Sequence, residues 1–230
     1  TGGASSGDFN AYEDIRIITG GGGNTFTADN RTNLGNNTGI SGTTAAATSC
    51  SFDGNGDNVG NWDDATEWDC GCVPRSIDDV TIDANKTVTI DGVYAQCDDL
   101  IFGASTARIS GANSELLEIH GSLTTVDEDN FSEFLGKTEF RNDIIGTTET
   151  LECSGCDTVK FYGVVLLEFP GNTWQASDHI SVTDPNDSRR GDLFMEQGTL
   201  DMNDFDLSFE SDLDVNDELV TGTGEVRAIN

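Results

Sequence analysis

The sequence predicts an all-β protein, a parallel β-solenoid or β-helix-like stack of short strands, with a β-sandwich as the alternative. Short runs of alternating apolar and polar residues recur along the chain, and Gly, Asn, Asp or Ser separates one run from the next. Each run is too short for a long buried helix. Steps of roughly eight to ten residues suit several short strands per coil of a solenoid, or a meandering sandwich.

The first part of the chain, residues 1–49, is predicted to be an extended arm or linker ahead of a domain that spans residues 50–230. It is rich in Gly, Thr and Asn and holds one plausible strand, around Ile15–Ile18. Such a composition buries too little apolar surface to fold alone. The segment is therefore expected to be a flexible linker, or to add a strand to a neighbouring subunit through Ile15 and Ile17.

The entry to the stack lies between residues 60 and 92. Val80 and Ile82 alternate with polar residues, and Val88 and Ile90 repeat the pattern after a polar turn, so both runs predict half-buried strands. Two tryptophans, Trp62 and Trp68, precede them in a segment too rich in Asp, Asn and Gly for a helix. Because large aromatic rings bury much apolar area, these are expected to cap the apolar end of the stack.

The remaining runs carry the same β pattern to the end of the chain. Only residues 130–135, reading NFSEFL, predict a short helical turn. The other predicted strands are Leu100–Phe102, Ala107–Ile109, Leu116–Ile119, Thr138–Phe140, Val159–Tyr162, Val164–Phe169, Ile180–Val182, Leu193–Met195, Leu200–Met202, Phe205–Phe209 and Val226–Ile229.

The motifs of this region resemble those of a known class of proteins. A Gly-x-Trp, a second Trp, Cys-Gly-Cys-Val-Pro, then Asp-Asp-Val-Thr-Ile and Thr-Val-Thr-Ile-Asp-Gly, follow one another between residues 60 and 92. This order is similar to the start of β-rich repeat modules in large secreted, adhesin-like surface proteins of Bacteroidota that leave the cell by the type IX route. The resemblance covers roughly residue 58 to the end. It implies a parallel β-solenoid more firmly than an activity.

The charge excludes two classes of partner. The chain has 42 acidic and 11 basic residues, a formal charge of −31, which would repel a nucleic-acid duplex or an anionic bilayer. No run approaches the roughly twenty apolar residues that a membrane helix needs. We therefore expect no nucleic-acid partner and no membrane insertion. Solvated carboxylates that keep a surface soluble explain this acidity, and cation binding is the functional alternative.

The six cysteines predict disulfides and, with them, an extracellular or cell-surface location. A local bridge is expected between Cys153 and Cys156, and Cys50 and Cys97 are expected to pair with Cys70 and Cys72 in an order that the sequence leaves open. A zinc site is the weaker alternative, because the two histidines lie far from the cysteine pairs in sequence. A strand, rather than a helix, follows Cys156, which argues against a thioredoxin-like motif.

One loop is a candidate calcium site. Asp53, Asn55 and Asp57 place oxygen ligands at alternate positions, and Asp64 occupies the twelfth place of an EF-hand-like loop. The loop departs from the EF-hand pattern, because Asn58 stands where glycine is expected and Asp64 is shorter than the usual Glu. A solvated turn is the alternative interpretation.

These features predict a structural or adhesive surface protein, not an enzyme. It would be a self-assembling filament subunit, or a repeat module, joined to other copies or adjacent repeats by strand pairing through residues such as Val226 and Ile229. The alternative is a secreted carbohydrate-binding or carbohydrate-cleaving β-helix protein, in which Trp174 and Tyr162 contact a surface glycan. Carboxylates are abundant, but the sequence singles out no catalytic pair.

Overall fold

The structure, a computed structural model, describes residues 47–92, 94–142, 146–167, 171–183, 191–216 and 218–228, together with the backbone of five short strands before residue 47. The chain divides into two compact units, Thr1–Ala47 and Thr48–Asn230. The second unit is a parallel β-solenoid of about six turns. Its described residues contain almost no helix, so the predicted fold class is confirmed.

The first unit contains short parallel strands. Strands β1, β3 and β5 form one sheet, and β2 pairs with β4. These strands are β1 (Ser6–Asp8), β2 (Ala11–Tyr12), β3 (Phe26–Asp29), β4 (Thr32–Asn33) and β5 (Ile40–Ser41). The strand predicted around Ile15 and Ile17 lies outside the described residues.

In its described residues, the second unit contains twenty-two strands and two single turns of 3₁₀-helix, Gly54–Gly56 and Ala65–Glu67. The strands are β6 (Ser49–Phe52), β7 (Val59–Asn61), β8 (Asp79–Ile82), β9 (Thr87–Ile90), β10 (Tyr94–Cys97), β11 (Leu100–Phe102), β12 (Arg108–Gly111), β13 (Leu116–Ile119), β14 (Leu123–Thr125), β15 (Glu133–Phe134), β16 (Lys137–Phe140), β17 (Thr148–Cys153), β18 (Thr158–Tyr162), β19 (Val164–Leu167), β20 (Thr173–Ala176), β21 (His179–Thr183), β22 (Leu193–Met195), β23 (Thr199–Asp201), β24 (Leu207–Phe209), β25 (Leu213–Val215), β26 (Glu218–Val220) and β27 (Val226–Ala228).

Three faces surround the core, because each full coil contributes one strand to each face. The first strands of the coils form an eight-stranded sheet from β6 to β26, and the third strands form a six-stranded sheet from β10 to β25. The second strands form two four-stranded sheets, the first from β7 to β15 and the second from β18 to β27. Every strand pair in these sheets is parallel. The β-sandwich alternative is therefore wrong, since a sandwich pairs its strands antiparallel.

The register stacks aliphatic side chains from successive coils at the same height of the core. Val80 pairs with Leu100, Leu100 with Leu123 and Leu123 with Leu151, so one coil takes roughly 20 to 30 residues. All four side chains are buried. Alternation within each strand sends these residues inward and their polar neighbours outward, and stacking of the coils makes one continuous core.

A column of aromatic rings runs through the middle of that core. Phe102, Phe131 and Phe161 follow one another at centroid distances of 5.2 and 5.3 Å. Phe140 extends the column from Phe161 to Trp174, at 5.8 and 6.2 Å. Rings from successive coils therefore contact each other at tilted or edge-on angles, which such pairs favour.

The helical turn predicted for residues 130–135 is wrong. The segment forms a turn followed by β15, whose Phe134 pairs with Gly111 of β12 and is buried. The Asn130 side chain fixes the turn, because its amide donates to the carbonyl oxygen of Ala107 at 2.8 Å and its oxygen accepts from the amide of Val126 at 2.9 Å. Buried Phe134 and these local bonds outweigh the helical propensity of the segment.

Candidate functional site

Two tryptophans cover the N-terminal end of the solenoid core, as predicted. Trp62 and Trp68 are both buried, their rings lie 5.1 Å apart, and the Trp68 indole Nε1 donates to the carbonyl oxygen of Trp62 at 2.9 Å. Trp68 also forms an antiparallel bridge with Phe52 of β6. The amide of Asp69 donates to the carbonyl oxygen of Ser51 at 3.0 Å. The outer edge of β6 is therefore occupied by the cap segment.

A disulfide fixes this cap to the first strand. Cys50 in β6 bonds to Cys70, two residues after Trp68, and a second disulfide joins Cys153 to Cys156.

Cys72 and Cys97 are not in disulfides, so the expected bridge between Cys97 and either Cys70 or Cys72 is wrong. Cys97 points into the core from the end of β10 and is fully buried, and burial raises the pKa of its thiol well above the usual range.

Three cysteine sulfurs lie close together at the cap. Those of Cys50, Cys70 and Cys72 are all within 4.8 Å of one another, and the Sγ atoms of Cys70 and Cys72 are 3.5 Å apart. With Cys50 and Cys70 bonded, the group offers one thiol, so it is a disulfide with a neighbouring thiol and not a three-thiolate metal site.

A lysine ammonium lies in the predicted calcium loop. Lys86 Nζ donates to the carbonyl oxygens of Asp53 and Asp57, each at 2.6 Å. The side chain of Asp53 caps the first 3₁₀ turn by accepting from the amide of Asn55 at 2.8 Å. Asp64 caps the second turn by accepting from the amide of Thr66 at 2.9 Å. Two backbone oxygens that could bind a cation are therefore already bonded to an ammonium.

Glu67 completes this acidic loop. Its Oε2 atom is buried without a hydrogen-bond partner among the described residues. Loss of hydration raises the pKa of Glu67, the charges of Asp64, Asp57 and Asp53 raise it further, and the charge of Lys86 lowers it. The Lys86 ammonium thus offsets the repulsion among four carboxylates around one loop.

Buried charges lie on the outer face of the six-stranded sheet. Glu118 and Glu139 occupy paired positions on β13 and β16, and both are nearly buried. Glu118 accepts from the Tyr94 hydroxyl at 2.8 Å and lies 3.4 Å from His120 Nε2 and 3.5 Å from Arg141 Nη1. Burial alone would raise the pKa of Glu118, but hydrogen bonds from His120 and Tyr94, with the charges of His120 and Arg141, lower it overall.

This network carries its own counterions. Lys137 Nζ lies 2.9 Å from Glu139 Oε2, and Arg141 lies 3.7 Å from Glu139 Oε1. Burial, followed by the hydrogen bond to Glu118, raises the pKa of Tyr94. Each carboxylate is thus paired with a cation, which is what two nearly buried acids on adjacent strands require. We interpret the network as a structural brace.

A corner of the solenoid brings several acidic side chains close together. Burial, together with the charges of Asp99, Asp79 and Glu149, raises the pKa of Asp98 to about 6, and the charge of His120 opposes the rise. Burial and the charge of Asp99 also raise the pKa of Asp79. The parallel register brings these acids together from different coils, although they are far apart in sequence.

The last described coil leaves backbone edges open. Strands β25, β26 and β27 each pair inward with the preceding coil, and no strand in the described part of the chain pairs with their outer edges. Val215, Val220 and Val226 on these strands are 37–38% exposed. Of the predicted assembly residues, Val226 lies on this edge, while Ile229, Ile15 and Ile17 lie outside the described residues.

A polar groove follows the outer face of the second four-stranded sheet. Its volume is about 360 Å³, and its lining includes Lys160, Ser181, Ser208 and Arg227. These four side chains form one ladder, in which Lys160 pairs with Ser181, Ser181 with Ser208 and Ser208 with Arg227. We call it the serine groove. A cation therefore stands at each end of a floor of two small hydroxyl side chains.

A histidine and two acids line the sides of the serine groove. His179 Nδ1 accepts from the amide of Asp206 at 2.9 Å, so the neutral ring carries its proton on Nε2. Phe205 packs edge-on against the imidazole at 5.6 Å. Asp206 and Glu128 add carboxylates to the lining. Sequence reasoning missed this site, because its basic residues are scattered singly along the chain and only the coil register brings them together.

The predicted sugar-contacting aromatics fall in different environments. Trp174 is fully buried in the aromatic column, so its predicted role in glycan contact is wrong. It points inward because its position on β20 alternates with the outward Thr173 and Gln175. Tyr162 lies on the outer face of β18, with Lys160 Nζ 5.0 Å from its ring centroid.

Comparison with protein-family models, curated proteins and solved structures finds no match to this chain. The resemblance to surface repeat modules therefore stays a prediction. Within the residues that the structure describes, no helix has the length and apolar character needed to cross a membrane.

Proposed function

We propose that this protein is an extracellular structural or adhesive surface protein, a filament subunit or repeat module whose solenoid continues by strand pairing at its last described coil. The observation that carries the proposal is the contrast between the two ends of the eight-stranded sheet. The cap segment occupies the edge of β6, whereas the outer edge of β26 has no partner among the described residues. An open edge next to exposed valines is a template for another strand.

The hydrogen bonds identify which groups would form the junction. The amide of Leu207 donates to the carbonyl oxygen of Glu225 at 2.9 Å, so Glu225 and Arg227 face the preceding coil. Because successive residues of a strand present their N–H and C=O groups to opposite edges, those of Val226 face outward. The same argument applies to Leu219 in β26, since Val220 accepts from the amide of Met202 at 2.7 Å.

Two features support an extracellular location. The two disulfides are typical of proteins from oxidising compartments. The charge of −31 keeps such a surface soluble, so that association is confined to the edges that can form hydrogen bonds. The partner is then another copy of the chain or an adjacent repeat, and the proposed role is not catalytic.

Electron microscopy and light scattering of the purified 230-residue chain test the proposal. We expect fibres or end-to-end oligomers from the wild type and from Val226→Ala, which keeps the outward amide. We expect monomers from Val226→Pro, because proline removes that N–H and leaves the inner ladder intact. Leu219→Pro serves as a second variant if Val226→Pro unfolds. Monomers from the wild type, or undiminished assembly of both proline variants, would refute strand pairing.

A further inference from the structure

We infer that the serine groove binds an acidic oligosaccharide, a glycan whose hydroxyls contact the floor and sides of the groove and whose carboxylate or sulfate groups reach the two cations at its ends. The inference rests on the adhesive part of the proposed function, for which it names the target. It starts from the ladder of Lys160, Ser181, Ser208 and Arg227.

The spacing of the ladder suits a chain-like ligand. Three strand-to-strand steps separate Lys160 from Arg227, which amounts to roughly 14 Å along the solenoid axis. Because Lys160 and Arg227 leave the backbone at opposite ends of that span, an extended ligand suits the ladder better than a single small anion. Each sugar ring is about as long as one strand-to-strand step. An oligosaccharide of a few linked sugars along the axis can therefore reach from Lys160 to Arg227.

The chemistry of the lining suits hydroxyl groups as well as anions. Ser181, Ser208 and Thr158 offer hydroxyls, while Asp206 and Glu128 offer acceptors that a sugar hydroxyl can reach as donor. A polymer with a negative charge on every repeating unit would be repelled by the carboxylates of Asp206 and Glu128. A glycan alternates hydroxyls with occasional acidic groups, and it therefore matches a lining in which acceptors and cations are mixed.

Two other polymers fit this groove less well. Single-stranded nucleic acid binds through aromatic platforms and many cations, and the described lining contains no Phe, Tyr or Trp and only two cationic side chains. A peptide that adds as a strand needs an open sheet edge, whereas the floor here is the face of a sheet whose backbone groups already pair. Contacts must therefore come from the side chains of the floor and sides.

The overall charge of −31 does not exclude an acidic ligand at this place. At physiological ionic strength charges are screened over about 8 Å, so the carboxylates on the other faces of the solenoid contribute little here. Within that distance the lining balances two cations, Lys160 and Arg227, against the carboxylates of Asp206 and Glu128, and His179 adds its Nε2 proton. Arg227 Nη2 also donates to Glu225 Oε2 at 2.6 Å, so an acidic group of the ligand competes with this carboxylate for the guanidinium.

Isothermal titration of the full chain tests the inference, at a concentration where light scattering reports monomers. The probes are hexagalacturonate, a sulfated chondroitin hexasaccharide, neutral cellohexaose and a hexaglutamate peptide. We expect binding of at least one acidic saccharide, and at least tenfold weaker binding of cellohexaose and hexaglutamate. The first two probes distinguish a carboxylated from a sulfated glycan.

Variants locate the site. Lys160→Gln and Arg227→Gln should each weaken binding about tenfold, because each removes a charge-assisted hydrogen bond. Ser208→Tyr should abolish binding by filling the floor. Arg108→Gln and Ser110→Tyr, on the first four-stranded sheet, are the matched controls and should bind like the wild type. Thermal unfolding establishes that each variant is folded.

Several results would overturn the inference. These are no binding of either acidic saccharide, equal binding of cellohexaose or hexaglutamate, or full binding by folded groove variants. Because binding is measured on monomers and assembly by microscopy, loss of glycan binding with intact fibres refutes the groove alone. Glycan binding by a chain that never assembles refutes strand pairing alone.

Discussion

The Lys86 ammonium lies 2.6 Å from the main-chain carbonyl oxygen of Asp57, inside the loop whose spacing predicts calcium. It makes an equally short bond to the carbonyl oxygen of Asp53. The Lys86 ammonium thus occupies the position from which a metal ion would coordinate these two carbonyl oxygens. Calcium at this loop stays a prediction, and it has to compete with the ammonium.

Replacing this lysine should uncover cation binding. In Lys86→Gln the two carbonyl oxygens and the carboxylate of Glu67 lose their positive partner, so we expect a loss of about 1 to 2 kcal/mol in the free energy of unfolding. Added calcium should then stabilise the variant more than the wild type. Thermal unfolding with calcium and with a chelator measures both, with Lys160→Gln as control. An equal response of wild type and variant to calcium would contradict the competition.

Trp68 should be the most sensitive residue of the cap. Trp68→Ala removes a buried ring beside Phe52 and Trp62 and exposes the edge of β6, so we expect a loss of about 3 to 5 kcal/mol and aggregation. Trp68→Phe keeps most of the packing but removes the bond from Nε1, at a cost of about 1 kcal/mol. Urea unfolding at low protein concentration compares them. Similar losses for both variants would argue against a packing role.

The disulfide between Cys50 and Cys70 should contribute more than the neighbouring thiol. It closes a loop with a sequence separation of 20, so Cys70→Ala is expected to lower stability by about 2 to 4 kcal/mol. Cys72→Ser should change it by much less, since Cys72 is not bonded. Peptide mapping by mass spectrometry of the non-reduced wild type should find Cys50 linked to Cys70. A bridge that contains Cys97 would contradict the structure.

Asp98 should destabilise the protein near neutral pH. Because burial and neighbouring acids raise its pKa from 3.8 to about 6, the folded state binds this proton more tightly than the unfolded state does. The free energy of unfolding is therefore expected to fall progressively as pH rises from about 4 to about 6, and to recover on acidification.

The test for Asp98 is Asp98→Asn. After allowance for screening by solvent, we expect this variant to gain about 1 kcal/mol at pH 7 and about half as much at pH 5. Urea unfolding between pH 5 and pH 7.5 avoids the range in which Glu118, whose pKa is lowered, begins to take up protons. Asp214→Asn, an exposed acid on β25, is the control. A gain that does not depend on pH would show that titration of Asp98 is not the cause.

Much of the fold could be predicted from alternation alone. Runs such as Val80 to Ile82 and Val159 to Tyr162 carry their β pattern in their own residues, and the tryptophan cap followed from aromatic size and position. Strands such as Tyr94–Cys97 and Thr173–Ala176 were missed, because each is short and buries one small alanine, Ala95 or Ala176, which gives only a weak apolar signal.

The candidate sites were harder to predict, because they depend on register. Coil lengths differ, so the spacing between Lys160, Ser181 and Arg227 carries no periodic signal, yet the parallel pairing places them on one ladder. The calcium loop showed the opposite problem. Its ligands were local and visible, but the lysine that bonds to its carbonyl oxygens comes from the turn before β9.

Hydrogen exchange at the amide of Val226 tests strand pairing most directly. In monomers this outward N–H has no partner strand in the described part of the chain, so we predict fast exchange. In fibres or end-to-end oligomers it should be protected, together with the amide of Leu219, while buried amides such as that of Ile109 stay slow in both. Equal, fast exchange of Val226 and Leu219 in monomers and assemblies would contradict growth through this edge.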